Sequence, residues 1–230
     1  MNYKINPMWP TPIIFIDVEE DTDELMNHND FQTAHANIKN KLISEENNDL
    51  NITPFGRKKR MLEQYPRIRD ILLNKFYYIA ENDLGYRKRD YIITTSWITL
   101  TPPGGSAQMH RHRNSFWSGV YYYHDNYDDD SGAIEFENPL ATKWDFFFDV
   151  PDIESSNEFN SPAWRFIPER KRLILFPSHL KHAILLNESN EIRYSLAFNI
   201  VPLGNWGDSD STYDMAWSST KYFSSLADKE

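Results

Sequence analysis

The chain has 230 residues, a length that suits one domain able to bury a full hydrophobic core. Hydrophobic residues are 40% of it and aromatics 15%, which argues against disorder over most of its length. A net charge of −10 excludes a global attraction to nucleic acid or anionic membrane, and the lack of cysteine excludes disulfides, thiolate metal sites and a cysteine nucleophile.

The polar, proline-containing start, Met1 to Pro10, has no apolar signal core, and no apolar run approaches the roughly 20 residues that span a bilayer. A soluble, cytoplasmic protein is expected. Pro12 to Val18 is a short strand candidate. Asp30 to Ile43 and Pro66 to Asn82 read as helices. In the second, Ile68, Ile71, Leu72, Phe76 and Ile79 fall at helical spacing, Pro66 suits a first turn, and Gly85 and its polar neighbours stop it. The basic run Arg57-Lys58-Lys59-Arg60 reads as a solvated loop or helix start.

From Asp90 onward the pattern changes to short β segments. Tyr91 to Leu100 is dense in Ile, Thr and Trp, and Pro102-Pro103-Gly104-Gly105 punctuates it. Phe116 to Tyr123, Ala133 to Glu137, Trp164 to Ile167, Leu173 to Phe176, Ala183 to Leu186 and Arg193 to Val201 follow, separated by turns. Many short strands behind helices predict a mainly β fold with flanking helices, a double-sheet barrel or jelly roll. Residues 142–161 look like a long loop of the kind that shapes a pocket. The division expected is a single domain over 1–230: a strand and supporting helices in 1–89, the β core in 90–201, and a C-terminal extension in 202–230 whose scattered aromatics suggest docking.

Three histidines and an Arg-x-Ser pair carry the chemistry. His110 and His112 are one residue apart, so on an extended strand both project from one face, with Arg111 opposite. His182, near a later strand, can complete a facial set around a metal, and neutral imidazole suits iron, zinc or copper. Arg193 and Ser195 share a face if their strand has period two. A guanidinium in so apolar a strand needs a partner, either a structural carboxylate or a bound dicarboxylate. Tyr121 and Tyr123 take one side of their strand and Tyr122 the other. The bland alternative leaves the three histidines apart, as ordinary core and surface residues. His28 and His35 are expected in solvent. His124 and His179 lie close to the motif strands, and His179, three residues before His182, is expected in a loop.

The set of motifs resembles the 2-oxoglutarate/Fe(II)-dependent oxygenase superfamily. It is closest to an oxygenase family with His-x-His-x-x-Ser and Ser-Gly-Val-Tyr-Tyr motifs, common in marine bacteria and their phages. The matching residues are Trp9-Pro10-Thr11-Pro12-Ile13, Ser96-Trp97, His110 to Ser115, Ser118 to Tyr122, Ile134 to Pro139, Leu175 to Ser178, His182, Arg193-Tyr194-Ser195 and Phe198-Asn199. The resemblance spans roughly residues 9 to 201 and is loose from 20 to 90. It implies a double-stranded β-helix core, with His110 and His182 as iron ligands at its open end. Arg193 and Ser195 would bind the distal carboxylate of 2-oxoglutarate, supported by Tyr122. The implied reaction couples oxidative decarboxylation of 2-oxoglutarate by O2 to hydroxylation of a C–H bond in an amino acid, peptide or small metabolite. An architecture of this type often dimerises, so a homodimer is a partner to test.

The chain departs from the superfamily at His112, where Asp or Glu is usual. His112 either ligates the metal, giving a three-histidine site, or stands behind two ligands and leaves a position that a halide could fill for halogenation. A remote carboxylate, Asp125 or Asp145, is a further substitute. Two other functions compete: a three-histidine dioxygenase of cupin type that uses no 2-oxoglutarate, and a non-catalytic metal-binding β-helix module.

Overall fold

The computed structural model describes residues 1, 3–5, 10–26, 53–54, 60–140 and 154–214. The expected helix at 30–43, most of the basic run at 57–60, most of the 142–161 loop, His28, His35, Trp9, Asp145 and the end of the C-terminal extension lie outside them. In chain order the strands are β1 (Ile14–Asp17), β2 (Thr53–Pro54), β3 (Tyr91–Thr101), β4 (Ala107–His110), β5 (Trp117–Tyr121) and β6 (Ile134–Glu137). Then come β7 (Ala163–Phe166), β8 (Arg172–Pro177), β9 (His182–Ile184), β10 (Arg193–Pro202), β11 (Asn205–Trp206) and β12 (Tyr213–Asp214).

The strands form a six-stranded sheet in the order β1-β8-β5-β10-β3-β2 and a four-stranded sheet in the order β4-β9-β6-β7. From β3 to β10 the chain passes repeatedly between the two, which winds a jelly roll, the double-stranded β-helix expected of this sequence. Every strand pairing is antiparallel. A hairpin of β11 and β12 follows β10.

Among the described residues one α-helix, α1 (Pro66–Asn82), braces the larger sheet. Pro66 opens it, where a missing N–H costs nothing. Ile68, Leu72, Phe76 and Ala80, four residues apart, are fully buried. The Phe76 ring meets Tyr91 edge-on at 4.9 Å and Trp117 at 5.6 Å. The core on this side also takes Trp117 and Tyr121 of β5, Leu173 and Leu175 of β8, and Tyr194, Leu196, Phe198 and Ile200 of β10.

Strict alternation then sends the intervening residues into the space between the sheets. There Val120, Tyr122, Ile134, Phe136, Ile174, Phe176 and Leu180 form a second apolar cluster. Tyr121 and Tyr123 join the first cluster and Tyr122 the second, the division expected from period two. Among the described residues no helix is long and apolar enough to cross a membrane.

The register between β5 and β10 sets Phe198 opposite Gly119. A Cβ at Gly119 would collide with the Phe198 ring, so the glycine is needed for space. Gly119→Ala should lower unfolding stability by about 1–3 kcal/mol through overpacking. Urea unfolding checks this, and wild-type stability would contradict the register.

Candidate metal centre

β4 pairs with β9 so that His110 stands opposite His182. Partners in antiparallel register share a face, and the row continues across the sheet through Phe136 of β6 to Trp164 of β7. The His110 and His182 ring centroids are 4.4 Å apart. His112 lies two residues beyond the end of β4, 5.5 Å from His110 and 5.1 Å from His182 between centroids. One ring nitrogen from each of the three falls within 4.8 Å of the others. Nitrogens bound to one ion at about 2.1 Å in a facial set stand about 3 Å apart, so the rings must draw together by roughly one to two ångströms to close the set on a metal.

The hydrogen bonds select the nitrogen each ring offers. His110 Nδ1 donates to the Gln108 carbonyl at 2.8 Å, and His182 Nδ1 to the Leu180 carbonyl at 3.0 Å. His112 Nδ1 donates to Asn199 Oδ1 at 2.7 Å and also approaches Ser118 Oγ at 2.9 Å. Asn199 is oriented in turn by its Nδ2 donating to Thr95 Oγ1 at 2.8 Å. With Nδ1 committed in all three rings, Nε2 keeps the free lone pair, the arrangement that outer hydrogen bonds impose on metal-binding histidines.

His112 does not stand on a strand, as equal facing with His110 had suggested. β4 ends at His110, and tethers from elsewhere hold His112. Its backbone N–H donates to the Ser178 carbonyl at 2.9 Å. Ser178 Oγ and Ser118 Oγ are 2.8 Å apart, and Ser118 Oγ also donates to Asn199 Oδ1. Trp97 covers the His112 ring edge-on at 5.6 Å. Ser118, Ser178 and Asn199 lie within the quoted sequence motifs, where nothing distinguishes them as the residues that hold His112. His179 is exposed in the turn before β9 and lies outside the triad. Asp125 is paired on the surface with Arg170 at 2.6 Å, so it is no substitute ligand.

Burial holds His182 down to about 3, with a smaller contribution from the His110 and His112 rings, and burial also lowers His112. Both rings are therefore neutral at neutral pH, the state that ligates.

On β10 of the larger sheet, facing the space between the sheets, Arg193 is 1% exposed. Its Nη2 donates to the Tyr122 hydroxyl at 2.7 Å, and its guanidinium carbon sits 5.0 Å from the centre of that ring. Nε and Nη1 are buried with no hydrogen-bond partner. Ser195, 3% exposed, lies two residues along β10. Burial raises the Tyr122 phenol, against the opposing effect of Arg193. The phenol is thus protonated, and while accepting from Arg193 it keeps its own O–H to donate.

A jelly roll that brings together three imidazoles able to hold a metal ion, with a buried, incompletely bonded arginine between its sheets, presents a candidate non-haem metal centre. Residues 95–199 match the sequence family described as "Putative 2OG-Fe(II) oxygenase". No curated protein sequence matches the chain. Among solved structures, metal-free HygX from Streptomyces hygroscopicus superposes with a TM-score of 0.53 at 10% identity, over 87% of each chain. HygX with iron bound gives 0.51 at 9% identity, over 84% of this chain and 82% of HygX. SnoK, a non-haem alpha-ketoglutarate-dependent carbocyclase from nogalamycin biosynthesis, gives 0.51 at 11% identity, over 87% of this chain and 84% of SnoK. At such identities these likenesses establish a shared fold.

The depressed His182 fixes a sign for pH. Below the ordinary value near 6.5 the unfolded chain takes up a proton that the folded chain refuses until about pH 3. This contribution is present above pH 6.5 and is lost as pH falls from there towards 3. Stability of the metal-free protein should decline across that window, and His182→Asn should make the decline shallower. Thermal melts at stepped pH measure both slopes.

Proposed function

We propose that the protein is an Fe(II)- and 2-oxoglutarate-dependent dioxygenase that hydroxylates a C–H bond. The observation that carries this reading is Arg193: a fully buried guanidinium with two unanswered donor nitrogens, on the strand whose Asn199 holds His112. A buried charge left in that state is costly, and a carboxylate offers the planar acceptor that a guanidinium fits. Among the described residues no carboxylate fills that role. A bound dicarboxylate would supply acceptors for Arg193 and a ligand for a metal held by the histidines.

The donor set fits a divalent first-row metal. His110, His112 and His182 would hold it through Nε2, leaving other positions for a 2-oxo acid and O2. Iron in such a site supplies oxygen activation, with the overall balance that 2-oxoglutarate, O2 and R–H give succinate, CO2 and R–OH. Arg193, with Ser195 and the Tyr122 hydroxyl, anchors and orients the distal carboxylate. Phe136, Phe176 and Leu180 keep the inner wall apolar and exclude water from it. Asn199 and Ser118 fix the His112 ring. The firm hold on His112 favours ligation over a vacated position, and with it hydroxylation over halogenation. The substrate class is a small molecule or peptide, and the site of action is cytoplasmic.

The three-imidazole set also matches a dioxygenase that needs no 2-oxoglutarate, and one titration separates the two. Metal-free protein is titrated without oxygen with Fe(II) and then 2-oxoglutarate. The expected result is a weak visible charge-transfer band that needs both components and vanishes in His182→Ala. Tight iron binding without the band favours the second reading. In Arg193→Ala the 2-oxoglutarate affinity should fall at least about tenfold, as loss of a charged hydrogen-bonding partner predicts; unchanged affinity removes the anchor assignment.

A further inference from the structure

The buried arginine is not alone in lacking partners. Thr101, the last residue of β3, is 0% exposed, and its hydroxyl is buried without a hydrogen bond. The register of β3 with β10 sets Thr101 directly opposite Arg193. Alternation agrees: Ile98 and Leu100 enter the core beneath α1, so Thr99 and Thr101 face the space between the sheets. The Thr101 methyl lies against the turn after β3, where a Cβ built on Gly105 would come within 3.1 Å of Cγ2. A β-branched side chain is stiff about χ1, so packing the methyl there fixes the hydroxyl on another branch. The backbone adds rigidity: the Thr101 carbonyl accepts from Asn187 Nδ2 at 2.9 Å, and Gly104 N–H donates to the Asn187 carbonyl at 2.7 Å.

Native structures rarely leave a buried hydroxyl unanswered. Here one stands across the ladder from a guanidinium with two unanswered nitrogens, Nε and Nη1, and neither satisfies the other. Three donor-only N–H positions and one hydroxyl on neighbouring strands have a common complement in a single anion.

We propose that Thr101 is a binding residue for the distal carboxylate of the 2-oxo diacid, donating its hydroxyl to the oxygen that Arg193 and Tyr122 leave exposed. This rests on the 2-oxoglutarate reading above and adds a residue from the opposite strand. β3 thereby contributes to ligand selection, and the pocket discriminates a diacid from a 2-oxo monoacid with donors on both sides of the β3–β10 ladder.

The test is anaerobic calorimetry of the Fe(II)-loaded protein with 2-oxoglutarate and, separately, with pyruvate, which keeps the 2-oxo acid and lacks the distal carboxylate. Thr101→Val preserves shape and methyl packing. It should weaken 2-oxoglutarate binding roughly ten- to a hundredfold, as removal of a hydrogen bond to a charged group predicts, and leave pyruvate unchanged. Thr101→Ser, which keeps the hydroxyl, should stay close to the wild type. Wild-type 2-oxoglutarate affinity in Thr101→Val overturns the proposal, and so does an equal loss for both ligands, which marks a general packing defect. If the wild type itself binds no 2-oxoglutarate, the reading of the site falls, an outcome distinct from a wild type that binds and a variant that binds as well.

Discussion

The constraint on which the site depends is that β10 must serve two environments at once. It pairs with β3 on one side and β5 on the other, so both its edges are spent on backbone hydrogen bonds. One face, Tyr194, Leu196, Phe198 and Ile200, is committed to the core beneath α1. A slip of one residue would exchange that face for the other and bury Arg193 and Asn199 against the helix, which no apolar core would accept. The apolar face therefore fixes the polar one. Arg193, Ser195 and Asn199 are placed between the sheets by what Leu196 and Phe198 require, and Gly119 is the concession β5 makes to that packing.

The smaller sheet supplies the other half. Its strands are short, and β4 is exposed over most of its length. β4 owes its position to β9, and through β9 to Phe136 and Phe176, whose rings lie 6.0 and 4.8 Å from His182. His182 is thus both a candidate ligand and a core residue, which accounts for its low proton affinity. His110, at the same level on the outer strand, remains solvent-exposed. A metal bridging these two rings would connect a fixed residue to an exposed one, and His112 would tie the pair to the larger sheet through Asn199 and Ser118.

How much of this the sequence disclosed follows from where the information lay. The α1 stripe Ile68, Leu72, Phe76 is local, and Pro66 and Gly85 bracket it, so its limits were legible. Strands β3, β5, β8 and β10 announced themselves by β-branched and aromatic density. β4 did not, because Ala-Gln-Met-His has neither alternation nor apolar content and is a strand only through its partner. His110, His182, Arg193 and Tyr122 were readable through motif and spacing. The hold on His112 was not: Asn199 is 87 positions away, and only the fold brings it near. Thr101 was hidden for the same reason. A threonine at the end of a threonine-rich strand has no distinguishing mark until the register places it opposite Arg193.

The departure at His112 changes the electrostatics of the centre in a definite direction. With a carboxylate ligand a divalent ion in the site would carry a net single positive charge; with three neutral imidazoles it keeps both. A 2-oxo diacid would bring two negative charges, one to offset the ion and one to offset Arg193. Among residues as buried as Arg193, Tyr122 and His182 that compensation would be worth more than in water. Metal and diacid would therefore support each other's binding more strongly here than in a site with its own carboxylate, and by linkage the effect runs equally both ways. The two unanswered donor nitrogens of Arg193 and the missing charge at position 112 would then be complementary deficits, which the two carboxylates of one diacid could meet.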